Sequence, residues 1–199
     1  MRTIAIVMMI VFHFIYDLNE FTNITINIKS EGMEIFKIIT ASLFLFVAGI
    51  STNFSKNQFK RALIVIGAGI IITLTTYIYN PNTFIRFGIL HCIGVGMLIL
   101  IPLNKLKELN ILLGLFILMI PIQFPPPHTT LDYYPLLPWL AVMLIGFGIG
   151  HYLFVRKNIF QKKSYSKSLS NLTFLGRHTL LIYMIHQPII IGVLMIGNW

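Results

Sequence analysis

Apolar residues fill this chain in long blocks separated by short polar connections. That block pattern, rather than any strand-like alternation, organises the sequence. The blocks lie at roughly 3–18, 34–52, 62–79, 84–103, 110–124, 136–154 and 172–197, the first and fifth being the shortest. Each predicts a membrane-crossing helix, because about 20 apolar residues rising about 1.5 Å apiece match a hydrocarbon core about 30 Å thick. The opening block runs into Tyr16-Asp17-Leu18-Asn19-Glu20 without a small-residue cleavage site, so it reads as a retained span rather than a signal peptide. The expectation is an all-α, polytopic integral membrane bundle of about seven transmembrane helices, a single domain over residues 1–199.

Composition agrees: 56% of residues are hydrophobic and only 11% charged, with a mean hydropathy of +0.82. Charge then sets orientation, because Lys and Arg in short loops stay cytoplasmic. Lys56, Lys60 and Arg61 mark the second connection, Lys105 and Lys107 the fourth, and Arg156, Lys157, Lys162, Lys163 and Lys167 the sixth. Asp17, Glu20, Glu31, Glu34 and Asp132, five of the six acidic residues, fall in the odd-numbered connections. The amino terminus is therefore expected in the cytoplasm and the carboxyl terminus outside. The net charge of +9 is mostly this topology signal, facing anionic lipid headgroups rather than nucleic acid. Cys92 is the only cysteine, which excludes an internal disulfide and a cysteine-based metal site. Gly146-Phe-Gly148-Ile-Gly150 superficially resembles a nucleotide loop, but inside an apolar helix it reads as close helix contact, while Gly67, Gly69, Gly94 and Gly96 read as ordinary lipid-facing or inter-helix residues.

Polar residues inside the spans carry the candidate chemistry, since ionisable groups there are costly and functional by default. His13 and Asp17 lie four apart, on one helix face, where the carboxylate can orient the imidazole. His91, with Arg86 above it, and His186, entering from the other side, are expected at similar depth. Asp132-Tyr-Tyr-Pro-Leu-Leu-Pro-Trp139 forms an outer loop with a rigid entry and interfacial aromatics, so three histidines and two carboxylates are expected to meet in the outer half. A lone buried histidine is more often packed and hydrogen-bonded than catalytic; several at one depth shift that balance. Arg2, Arg177 and His178 stand at the cytoplasmic starts of the first and last spans.

A resemblance extends this reading over nearly the whole chain. Arg2-Thr-Ile-Ala-Ile-Val-Met-Met, His13 with Asp17-Leu18, Phe44-Leu-Phe-Val-Ala-Gly49-Ile-Ser51, Phe87-Gly-Ile-Leu-His91, the Asp132 to Trp139 run and Leu175-Gly-Arg-His-Thr-Leu-Leu-Ile-Tyr-Met-Ile-His-Gln-Pro188 occur in order. Together they resemble the prokaryotic relatives of heparan-alpha-glucosaminide N-acetyltransferase. The resemblance implies a multi-pass acyltransferase of a prokaryotic plasma membrane, taking acetyl from cytoplasmic acetyl-CoA to an acceptor across the membrane such as an amino sugar or other glycan, with no metal. Two departures stand out. The family pattern reads Asp-x-x-Arg-Gly before the first apolar run, whereas this sequence begins Met1-Arg2-Thr3. It also has fewer expected spans than longer relatives, so a homo-oligomer is a conceivable source of missing elements.

Acyl transfer needs a base for the acceptor proton, and a partly buried neutral imidazole suits it. His13 is the expected base and Asp17 its orienting carboxylate, with His91 or Tyr133 donating to the developing oxyanion and Asp132 and His186 completing the catalytic set. Arg86, Tyr133, Tyr134, Trp139 and Gln187 are expected to bind the acceptor, and Arg2, Arg177 and His178 the phosphates of CoA. Two other classes fit similar residues: a proton-coupled transporter using a His and Asp relay, and a b-type haem protein ligated by His91 and His186. A retinal sensor is excluded by the lack of a lysine in the last span, Lys167 being in a loop.

Overall fold

A computed structural model describes residues 2–24, 26–28, 30–121, 132–157, 176 and 178–197. The described residues form seven α-helices: α1 (Arg2–Phe21), α2 (Glu31–Thr52), α3 (Gln58–Tyr79), α4 (Ile89–Leu103), α5 (Asn110–Met119), α6 (Leu136–Gly150) and α7 (Thr179–Ile196). They contain no strand, only an isolated bridge between Phe87 and Tyr133. The chain falls into two compact units, Met1–Phe44 with Ser164–Trp199, and Leu45–Lys163, with α2 beginning in one and ending in the other.

In the first unit α1 and α7 run parallel. Arg2 and Thr3 flank Gly176 near the start of α7, His13 lies against His186, and Asp17 is bonded to Gln187. The sequence explains the contact: Ala5, Met9 and Asp17 are buried on α1 at intervals that place them and His13 on one stripe, and His186, Ile190 and Leu194 repeat every four residues on α7. Helix α2 returns beside them, its Phe36 on Phe12 and its Phe44 on Tyr183, each with ring centroids 6.2 Å apart. Glu31 and Glu34 in its first turn oppose the positive end of the helix dipole.

The second unit is built around α6. Its glycines let neighbouring backbones touch: a Cβ on Gly146 would run into the Phe46 carbonyl of α2, and one on Gly148 would crowd Ile111 and the Glu108 carbonyl. Gly67, by contrast, faces open space. Contacts along α6 also settle chain direction. Phe87 pairs with Tyr133 just before α4 and α6 begin, and Gly96 abuts Leu140 and Met143, so α4 runs parallel to α6. Ile111 abuts Gly148 and Gly114 abuts Ala141 and Ile145, so α5 runs the other way.

The chain therefore reverses within the 3₁₀ segment Asn104–Leu109, where Lys107 adopts φ 48°. Asn110 braces the reversal by donating Nδ2 to the carbonyls of Leu103 and Lys107, both at 2.9 Å. Among the described residues six helical stretches are long and apolar enough to cross a membrane, and one of them, Ile89–Met119, contains this reversal. Counted as two helices it brings the total to the seven expected. The exterior is apolar to match, with Ile78 80% exposed, Met119 82% and Ile196 84%, a surface suited to lipid rather than water.

The even-numbered connections share one end of this unit. Gln58 donates to the Met97 carbonyl (2.8 Å) and accepts from Asn104 (2.9 Å), Asn53 donates to the Phe147 carbonyl at 3.0 Å, and Glu108 meets His151 at 3.1 Å and Arg156 at 3.9 Å. Lys56, Lys60, Arg61, Lys105, Lys107, Arg156 and Lys157 border these contacts in sequence. Beyond α6 the backbone widens into a π-helical turn, His151–Arg156. Asn57 caps α3 by accepting from the Lys60 amide at 2.9 Å.

Candidate active site

The expected site residues separate between the two units. His13, Asp17, His186 and Gln187 come together in the first. His91, Arg86, Asp132, Tyr133, Tyr134 and Trp139 come together in the second.

In the first unit α1 supplies a histidine and a carboxylate one turn apart, and α7 supplies consecutive polar residues just before Pro188. The His13 and His186 rings lie with centroids 4.9 Å apart, inclined at 56°. Asp17, 2% exposed, is held by Gln187, whose Nε2 donates to Oδ1 at 3.0 Å and Oδ2 at 2.8 Å. A carboxylate can only accept, so the amide orientation of Gln187 is fixed with Nε2 toward Asp17. The i,i+4 spacing pointed to His13 as the partner of Asp17; the carboxylate is taken instead by a side chain far away in sequence.

The imidazole of His186 is fixed too. Its Nδ1 lies 2.7 Å from the carbonyl oxygen of Tyr183, and a carbonyl only accepts, so Nδ1 carries the proton and the neutral ring keeps a lone pair on Nε2. His186 Nε2 and Gln187 Oε1 are both buried without a hydrogen-bond partner. Buried polar atoms are nearly always satisfied; Ser55 Oγ and Asn110 Oδ1 are unpartnered too, but only at His186 and Gln187 do two such atoms stand on consecutive residues. Phe12, Phe44 and Tyr183 wall the cluster.

At the start of the same helices Arg2 stands beside Gly176, Thr179 donates to the Gly176 carbonyl at 2.8 Å, and His178 is an exposed N-cap residue. Arg177, Lys162, Lys163 and Lys167 lie outside the described residues.

In the second unit His91 acts on its own helix. Its Nδ1 accepts from the Gly88 amide at 3.3 Å, closing the first turn of α4, and its Nε2 lies 3.4 Å from the Thr73 hydroxyl, which itself donates to the Ile85 carbonyl at 2.7 Å. The ring lies over Gly69, where a Cβ would sit 3.1 Å from three of its atoms. Both nitrogens are thus engaged locally, and axial ligation of a haem would sacrifice one of these contacts. Around it the Tyr134 amide donates to the Phe87 carbonyl at 3.0 Å, Tyr134 meets Trp139 edge-on at 5.2 Å, Arg86 lies 5.0 Å over the Phe84 ring, and Asp132 approaches Gly88.

A histidine pair with one ring buried, an anchored carboxylate and two unfilled acceptors thus stand together in an apolar helical unit. The family model of heparan-alpha-glucosaminide N-acetyltransferase, catalytic, matches residues 1–188. The chain belongs to that family. The match takes in α1 through Pro188 of α7, and so every residue of the His13, Asp17, His186 and Gln187 cluster. No curated protein and no solved structure gives a match. Membership of this N-acetyltransferase family makes the protein a membrane acetyltransferase in class. The signal that sequence reading underused was the Gln187-Pro188 step: an amide just before a proline in a span is a polar group needing a buried partner.

Proposed function

We propose that this protein transfers an acetyl group from cytoplasmic acetyl-CoA to an amine or hydroxyl of an extracytoplasmic or membrane-bound acceptor, an amino sugar or other glycan, at the His13, Asp17, His186 and Gln187 cluster. The observation carrying this reading is the pair of buried, unpartnered acceptor atoms beside the His13–His186 contact, within the stretch matched by the acetyltransferase family. An acyl acceptor must lose a proton as its lone pair attacks the thioester carbonyl, and an imidazole lone pair in an otherwise apolar setting accepts it. Asp17, anchored by Gln187, supplies a fixed negative charge near the imidazolium formed in that step.

CoA brings phosphate charge and calls for basic partners. Arg2 at the start of α1, His178 at the start of α7 and Arg177, its neighbour in sequence, are the residues we assign to it, as Arg is suited to bidentate phosphate contact. The shared end of the even-numbered connections supports a cytoplasmic placement of Lys56, Lys60, Arg61, Lys105 and Lys107, with the protein lying in the plasma membrane of a prokaryote. In the second unit, Tyr133, Tyr134 and Trp139 are the aromatic residues we assign to contact with the acceptor.

The test is transfer from radiolabelled acetyl-CoA by detergent-purified protein, with and without glucosamine-type acceptors, beside a His13→Ala/His186→Ala double variant. Labelled product from the wild type, lost in the folded double variant, is the expected result. Absence of both turnover and acetyl-CoA binding in the wild type overturns the reading.

A further inference from the structure

The division of labour within the cluster can be read from its hydrogen bonds. His186 is 7% exposed, and its Nδ1 is committed to the Tyr183 carbonyl at 2.7 Å. Gln187 has spent its donors on both oxygens of Asp17. What these two residues leave unfilled, Nε2 and Oε1, are both acceptors. With the Asp17 carboxylate beside them, the cluster repels phosphates and carboxylates and calls for a ligand presenting N–H or O–H groups. His13 contributes its ring to the wall against which His186 is held.

We infer that Nε2 of His186 takes the proton of the acyl acceptor and that Oε1 of Gln187 receives a second N–H or O–H of the same molecule, an inference that rests on the acyl-transfer reading. The acceptor is accordingly a compound with two neighbouring donors, the group to be acylated and one beside it. In the step, the acceptor nitrogen or oxygen forms a bond to the acetyl carbonyl carbon and its proton passes to Nε2. The carbon–sulfur bond then breaks, and the departing CoA thiolate takes that proton from Nε2, leaving acetylated acceptor, free CoA thiol and His186 as it began. Nδ1–H stays on the Tyr183 carbonyl throughout, so the ring need not turn. This assigns the base to His186, with His13 and the Asp17–Gln187 pair as positioning groups.

Two measurements test the assignment. The first is the 15N spectrum of histidine-labelled wild-type protein in detergent, with the His186 signals identified by their loss in His186→Gln. A protonated Nδ1 and a bare Nε2 are expected; a protonated Nε2 in the neutral ring overturns the assignment whether or not the enzyme turns over.

The second is the pH dependence of kcat. Among the described residues, the titratable and charged groups around the pair are His13, Asp17 and Glu20 on α1, Lys37 on α2 and Tyr183 on α7, so variants must separate the two histidines. His186→Gln is expected to lower kcat by about 100- to 10,000-fold and to lose the fall in rate toward low pH. His13→Phe, which keeps a ring against His186, is expected to retain that fall. Gln187→Met is expected to raise the KM of the acceptor about tenfold or more without raising that of acetyl-CoA.

A working wild type whose acid limb disappears with His13→Phe and survives in His186→Gln overturns the assignment and leaves the function standing. A wild type that consumes no acetyl-CoA with any acceptor overturns both.

Discussion

Asp17 is the residue on which the local energetics turn. A carboxylate almost wholly removed from solvent, with one amide donating to both its oxygens, loses its compensation if that amide is removed. Asp17→Leu strands the Gln187 amide, and Gln187→Leu strands the carboxylate, each costing about 1–3 kcal/mol, whereas the double change removes both polar groups and costs less than the sum. Thermal unfolding of the three variants in detergent is expected to give a coupling of about 1 kcal/mol or more; strictly additive effects would mean that the bond carries no stability. Nothing in the local sequence around Asp17 announced this partner, since i,i+4 spacing favours His13 and the bond to Gln187 is made across 170 positions. What was legible was the cost of a charge in a span; which atom met that cost depends on the parallel course of α1 and α7.

At the scale of elements, block length was readable to within a turn for most helices and failed where polar backbone chemistry intervened. The apolar run at 84–103 looks continuous, yet the helix starts only at Ile89 because Gly88 caps it and His91 folds back to the Gly88 amide. The residues before it, including Phe87, leave the helix to pair with Tyr133 and Tyr134. The fourth connection, marked in the sequence only by Lys105 and Lys107, is a tight 3₁₀ reversal braced by Asn110.

His91 therefore answers to a different test from His186. His91→Leu opens the first turn of α4 and is expected to lower stability by about 1 kcal/mol, the usual worth of a cap, while kcat falls by far less than the roughly 100- to 1,000-fold that loss of an oxyanion donor costs. A rate loss of that size with unchanged thermal stability would return His91 to the chemistry. The glycines of α6 were read correctly as contact points, because small residues in an apolar helix have few other uses; which helix each would meet required the structure.

At the scale of the whole molecule, composition and charge placement carried most of the information. Seven apolar blocks stand against seven helices among the described residues, and the basic connections of the second unit gather at one end through Gln58, Asn104, Glu108 and His151. The meeting of His13 with His186 was expected from their similar depth, whereas the Gln187 anchor on Asp17 was not, because it requires the first and last helices of the chain to be neighbours. The family match supplies the chemistry at the level of an N-acetyltransferase, and the arrangement of acceptors beside the histidine pair supplies a reason for it. Directionality is the proposal that binds these scales together: acetyl taken from cytoplasmic acetyl-CoA and delivered to an acceptor on the other side of the membrane.

Sealed proteoliposomes measure that claim directly, with labelled acetyl-CoA added outside and a glucosamine-type acceptor enclosed within. The account predicts that labelled, acetylated acceptor accumulates inside while CoA stays outside. Acceptor flux without acetyl-CoA consumption, or product formed only when both substrates share one compartment, would contradict it.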